Sequence, residues 1–222
     1  MNGVGFGERV RRLARHEGQW LVSLVWWVAR RRIGVPAGAR ALPYAGAQAA
    51  MVYGLAFVFT VETVGMSLML RDHPRLHAVT LVADVYTVLM LLGGQAAAVT
   101  RPHVVGADAV VVRGGVRMAV RIPLERIASA RYDLRFERSA REGGGKAEGV
   151  LELAVGGQTS VTLELTEPVV AVRLLGQREV VRTVRFHADD ARGAVAAVRG
   201  AVAAARSAAG QPDAHGEPVA PR

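Results

Sequence analysis

The 222-residue sequence has no cysteine, a single lysine (Lys146) among 28 basic residues, and few aromatics: five Phe, four Tyr and three Trp. Without cysteine there is no disulfide framework, no thiol nucleophile and no cysteine-ligated zinc. Nucleophile-elbow, zincin and dinucleotide-binding patterns are missing too. Gly143-Gly144-Gly145-Lys146 lacks the phosphate-loop spacing and carries Ala147 where that loop has a hydroxyl residue. These absences point away from an enzyme and from any cofactor or metal. Apolar residues are not scarce: 51% of the chain is hydrophobic and 21% charged, which excludes disorder along the whole chain.

Basic residues outnumber acidic ones 28 to 19, for a net charge of +9, and all but Lys146 are arginine. Such a bias suits an anionic partner such as phosphate or a lipid head group, although a high-GC genome produces it without any function. Nucleic acid is the weaker reading, because no aromatic–basic platform of the kind used on single strands lies in 101–200.

Two apolar runs dominate the first half. Gly46–Leu70 contains only Gln48 and Glu62 as strongly polar side chains, and Leu76–Thr100 is interrupted by His77, Asp84 and Gln95. A helix needs about 20 residues to cross a hydrocarbon core, so both runs read as membrane-spanning helices. Arg71-Asp72-His73-Pro74-Arg75 forms a polar turn between them, which makes the helices an antiparallel hairpin. Arg30, Arg31, Arg32 and Arg40 precede it and Arg101, Arg113 and Arg117 follow it, whereas the turn has only Arg71 and Arg75, partly offset by Asp72. The positive-inside rule then predicts a multi-pass plasma-membrane protein with both termini cytoplasmic.

Residues 1–45 form a basic N-terminal segment. Its apolar part, Gln19–Ala29, is too short to span and is closed by Arg30-Arg31-Arg32 where a signal peptide would have small residues. Val10, Leu13, Leu21, Leu24 and Val28 recur at helical spacing, with Arg9, Arg12 and Arg15 outside that stripe. All three tryptophans (Trp20, Trp26, Trp27) lie here, which predicts an amphipathic helix along the cytoplasmic leaflet. The alternative is a helix packed on the soluble domain.

From residue 101 to 207 the period changes to that of strands. Ala109–Arg113, the turn Gly114-Gly115 and the alternating Val116, Met118, Val120, Ile122 predict a hairpin. A tight turn at Pro123–Ile127 leads into a strand through Leu134, and 136–148 reads as a mobile loop. Two more hairpins are expected, Val150–Val155 with Ser160–Leu165 and Val169–Leu174 with Glu179–His187, the latter turning at Gly176-Gln177. Asp189 or Asp190 caps a last helix whose buried stripe is Ala191, Ala194, Val195, Val198 and Val202, with Arg192, Arg199 and Arg206 on the solvent side. Residues 208–222 read as a disordered tail. The fold class is therefore a membrane α-helical hairpin plus an α+β domain, a small bent barrel or sandwich of about seven strands capped by a C-terminal helix.

VVVRGGVRMAVRIPLERIASAR (110–131) resembles the opening of bacterial pleckstrin-homology-like domains: a strand, a hairpin and an I-P-L-x-x-I turn. DVYTVLMLLG (84–93), RPH (101–103), SVTLELTEPV (160–169) and VRFHADD (184–190) resemble a family of actinobacterial integral-membrane proteins with two spans and a cytoplasmic tail. That resemblance covers roughly residues 19–206 and implies architecture but no activity. Pleckstrin-homology domains that hold inositol phosphates place basic residues around the first hairpin, which marks Arg113 and Arg117 as candidate anionic-lipid contacts, without the lysine-rich signature. Arg30, Arg31 and Arg32 are candidates by their position beside the first span.

Within the spans, Glu62 and Asp84 each stand eleven residues from His73, so both lie about 16 Å from the turn, at equal depth near mid-bilayer. Thr80 and Thr87 share a helix face with Asp84 and are candidate donors to it; Gly65 beside Glu62 permits close helix approach. Two facing carboxylates there would share a proton. They form either a proton or cation site or a neutral pair holding the hairpin or an oligomer together. His73 and His77 have metal-compatible spacing, but Pro74 interrupts the helix it needs. Three functions follow as expectations: a membrane-held interaction or oligomerisation module that binds a protein partner or its own copies, a subunit of a proton- or ion-linked transport assembly, or an anionic-lipid sensor.

Overall fold

The computed structural model describes residues 18, 20–115, 118–136, 149–172 and 178–209. Several expectations lie outside these residues: the stripe members Val10 and Leu13 with Arg9, Arg12 and Arg15, Val116, Arg117, the loop at 137–148, the turn at Gly176-Gln177 and the tail from residue 210.

Helix α1 covers residues 20–28. It ends where the Arg31 amide donates to the Trp26 carbonyl at 2.9 Å and Arg30 turns left-handed, with φ 52°. This is a Schellman-type stop with arginine where glycine is usual. Helices α2 (Gly46–Met69) and α3 (Pro74–Thr100) are the two apolar runs, each long and apolar enough to cross a membrane. Pro74 opens α3 at its first position, where its missing N–H breaks no helical bond. Only 6% of the most apolar stretch of either helix is buried within the chain.

Strand β1 (Arg40–Leu42) precedes the hairpin and β2 (His103–Val105) follows it, yet the two pair antiparallel, Arg40 opposite Val105 and Leu42 opposite His103. The segment ahead of the hairpin is thus woven into the domain behind it. β3 (Ala109–Gly114) and β4 (Met118–Pro123) complete a sheet of order β1-β2-β3-β4. Met118, Val120 and Ile122 face the core in the expected alternation, and Gly115 supplies the positive φ of the turn. A single 3-10 turn, Leu124–Arg126, leads into β5 (Ile127–Phe136).

The second sheet comprises β5, β6 (Val150–Leu153), β7 (Gln158–Val172) and β8 (Arg178–Phe186) in the order β5-β7-β8-β6. The chain does turn at Gly156-Gly157, but β6 does not form the expected hairpin with β7. It runs parallel to β8 instead, Val150 opposite Thr183 and Leu153 opposite Phe186. The reason is occupancy: β7 is already flanked by β5 on one side and β8 on the other. The runs 160–165 and 169–174 are not separate strands either. β7 runs from the first into the second as far as Val172, with a register shift between Glu164 and Val169, where Pro168 has no N–H for the ladder. Among the described residues, two added strands (β1 and β2) and one fusion turn the expected seven into eight.

Both sheets enclose one apolar core, from Leu42 and Val110 to Leu163, Val184 and Phe186. Helix α4 (Ala191–Ala209) closes it with Ala194, Val195, Val198 and Val202. Asp190 is the N-cap, accepting from the Gly193 amide at 2.9 Å. The arginine row on α4 does not simply face solvent. Arg199 donates to the Ala130 carbonyl (2.8 Å), Arg206 to that of Ile127 (3.2 Å), and Arg192 lies over the Tyr132 ring. β5 is a sheet edge with unpaired carbonyls, and these long cationic side chains satisfy them.

Candidate functional site

Among the intramembrane candidates, Glu62 is exposed and Asp84 is half-buried with Oδ2 enclosed and unpartnered. Thr80 and Thr87 do not serve Asp84: each hydroxyl donates to the carbonyl four residues back, of Leu76 (3.0 Å) and Ala83 (2.9 Å). On a helix face with no polar neighbour, a threonine hydroxyl bonds the backbone of its own helix. No atom stands within 4 Å of where a Gly65 side chain would begin, so the notch beside Glu62 is open.

The densest polar construction lies at the foot of the hairpin. His103 is its hub: its ring stacks on Tyr44 at 4.3 Å between centroids and meets Phe186 edge-on at 4.8 Å. Its Nδ1 accepts from the Arg113 amide at 2.9 Å, which leaves Nε2 to donate to the His187 carbonyl, also at 2.9 Å. Burial pushes this imidazole down to a pKa of about 4, so it is neutral near pH 7. Tyr44 accepts from the Gly115 amide through its hydroxyl, and burial raises its pKa.

Arg113, expected to face lipid, is a latch. Its guanidinium donates to the carbonyls of Ile33 (2.9 Å), Gly34 (2.7 Å) and Pro102 (3.3 Å), tying the linker after α1 to the first sheet. Asp189 ties the other side: its carboxylate accepts from the Gly46 amide (3.0 and 3.2 Å), capping the start of α2 from across the fold. His187 lies 3.6 Å from Asp189; burial lowers its pKa and Asp189 raises it. Gln48 and Gln95, the polar breaks near the domain-side ends of the apolar runs, bond to each other at 3.0 Å, and Gln95 also donates to the Ala45 carbonyl. Gly93 packs against Trp20 and Leu24, so α1 rests on the last turns of α3.

These contacts bury the last turns of α3 from Gly93 onward, which leaves about 19 residues, roughly 28 Å, free of the domain. Three separate segments converge on this foot: RPH (101–103) supplies His103, VRFHADD (184–190) supplies Phe186, His187 and Asp189, and DVYTVLMLLG (84–93) ends on Gly93.

Between α1, the linker and the hairpin foot lies a cleft of about 670 Å³. Arg30, Arg31 and Arg32 line it together with Trp27, Tyr53, Ala49 and Val99, and Tyr44, Gln95 and Asp189 also contribute. Trp27 and Tyr53 stack with centroids 6.5 Å apart. Of the arginines expected to meet anionic lipid, the triple-arginine run therefore borders a concave site. Tyr53 inside an apolar run and Asp189 far along the chain had no sequence signal tying them to it.

Ser160 is buried, with its hydroxyl oxygen accepting from the Ala188 amide and donating to the Ala188 carbonyl. Among the described residues no group of three His, Asp or Glu gathers as a metal site. Comparisons with known protein families, with curated proteins and with solved structures found no match for this chain.

Proposed function

We propose that this chain is a two-span plasma-membrane protein that holds a non-catalytic α+β module against the cytoplasmic surface of the bilayer, where the module binds a protein partner or further copies of itself. One observation carries the reading: few residues of the hairpin's most apolar stretches are buried, while both its ends are tied into the packed domain through β1–β2 pairing and the Asp189 cap. Helix α1 supports it, because Leu21, Val25 and Val28 face outward while Trp20 and Leu24 rest on α3, and a helix apolar on both sides needs an apolar surrounding. Two packed sheets closed by a C-terminal helix support a pleckstrin-homology-like module, and the parallel β6–β8 pair departs from the succession of hairpins that the resemblance implies.

The absence of cysteine makes the topology directly testable. In intact cells a membrane-impermeant maleimide labels His73→Cys at the hairpin tip and spares Ser207→Cys on α4 until the membrane is opened. Labelling of Ser207→Cys in sealed cells, or recovery of the protein in the supernatant after alkaline extraction, overturns the reading.

A transport subunit using Glu62 and Asp84 is the second reading, favoured by the enclosed, unpartnered Oδ2 of Asp84. Under it, Glu62→Gln with Asp84→Asn abolishes ion flux in vesicles; under the module reading, flux is absent from the parent and assembly is the property to measure.

A further inference from the structure

We infer that the cleft at the foot of the hairpin seats one anionic phospholipid, its phosphate held by Arg30, Arg31 and Arg32 and its glycerol and first acyl carbons lying against Tyr53, Ala49 and Val99. This rests on the reading of the hairpin as membrane-spanning, which puts the cleft at head-group level. A volume of about 670 Å³ suits a small polar head with the start of its chains. The lining is divided as an amphiphile is: cationic at one part, aromatic and aliphatic at the other.

Charge points the same way. Among the described residues none of the three arginines has an ion-pair partner, and the one carboxylate in the cleft, Asp189, is engaged by the Gly46 amide. Arginine's planar fork is suited to phosphate oxygens. Trp27 and Tyr53 are the residue types that settle between acyl chains and water. Arg30 also holds the left-handed conformation at the end of α1, a position glycine fills with less strain, so the fold retains a cation where backbone ease would choose otherwise.

The test uses the full chain in mild detergent, observed by native mass spectrometry with added phosphatidylglycerol or phosphatidylcholine. The parent is expected to retain phosphatidylglycerol in preference to phosphatidylcholine. Retention falls about tenfold or more in the variant R30Q/R31Q/R32Q and is unchanged in R71Q/R75Q at the opposite end of the hairpin. Arg30→Gly is the second variant: it relieves the left-handed backbone, so its melting temperature holds or rises while lipid retention falls. Equal retention by the triple variant, or equal retention of the two lipids by the parent, overturns the inference. Glycerol phosphate binding as tightly as the whole lipid also overturns it, in favour of a soluble phosphate ester. Alkaline extraction of the parent separates the two failures. A protein that stays in the membrane pellet with lipid binding indifferent to the arginines loses only this inference, whereas one released to the supernatant loses the membrane reading.

Discussion

Phe57 on α2 and Phe186 on β8 are the same side chain in opposite surroundings: the first is 70% exposed, the second 0%. Val79 on α3, 68% exposed, stands in the same relation to the fully buried Val110 on β3. Polar groups divide likewise. In the hairpin, Thr60, Thr63, Thr80 and Thr87 each bond back into their own helix. In the domain, His103, Arg113, Arg199 and Ser160 bond across elements. The domain makes its own apolar medium by folding, while the hairpin's threonines bond within their own helices and its apolar surface beyond the domain is left for another medium to cover.

The largest expected effect tests that contrast at its sharpest. Phe186→Ala empties a filled core site and should cost about 3–5 kcal/mol in urea unfolding followed by far-ultraviolet circular dichroism. A value below about 1 kcal/mol would mean the domain core is loosely packed.

Acid should act on the domain almost as strongly. His103 titrates near 4 in the fold against 6.5 when free, so the unfolded chain binds its proton first. Its contribution is whole above pH 6.5 and is lost as pH falls towards 4, about 3 kcal/mol in all. Protonation would also break the bond in which Nδ1 accepts from the Arg113 amide. Urea midpoints between pH 7 and 4 measure the loss, and histidine resonances that titrate near 6.5 in the folded protein for every ring would refute it.

Effects at the join should be smaller. Asp189→Ala removes the cap on α2 and should cost about 1 kcal/mol, with faster amide hydrogen exchange confined to the first turn after Gly46. Arg206→Ala frees one edge carbonyl of β5 and should cost about 0.5–1.5 kcal/mol, measured by the same unfolding assay. Phe57→Ala is the counterpart of the first prediction. In micelles it should leave unfolding within about 0.5 kcal/mol of the parent, and a cost like that of Phe186→Ala would erase the distinction between the two regions.

What was legible in the sequence was local. The two apolar runs became α2 and α3, the Gly114-Gly115 turn became the β3–β4 hairpin, and Ala194, Val195, Val198 and Val202 became the buried face of α4. Each follows from a periodicity contained within one element. The join was not legible. Arg113 meets Gly34 across 79 residues and Asp189 meets Gly46 across 143, separations that leave no pattern in either segment. β6 illustrates the same limit: its alternation and the Gly156-Gly157 turn are those of a hairpin, and only the presence of β5 on the far side of β7 sends it to β8. Of the candidate site, the arginine triplet stood out by charge, but the cleft it borders exists only once α1 lies across the hairpin foot.

By itself the sequence determined the long helices and most of the strands, because side-chain periodicity acts residue by residue within one element. Tertiary structure alone decided that the linker before the hairpin closes the sheet behind it, that Arg113 serves the backbone rather than the bilayer, and that three arginines surround a concavity. Those outcomes depend on which surfaces remain unsatisfied after the local elements form, and that is a property of the whole chain.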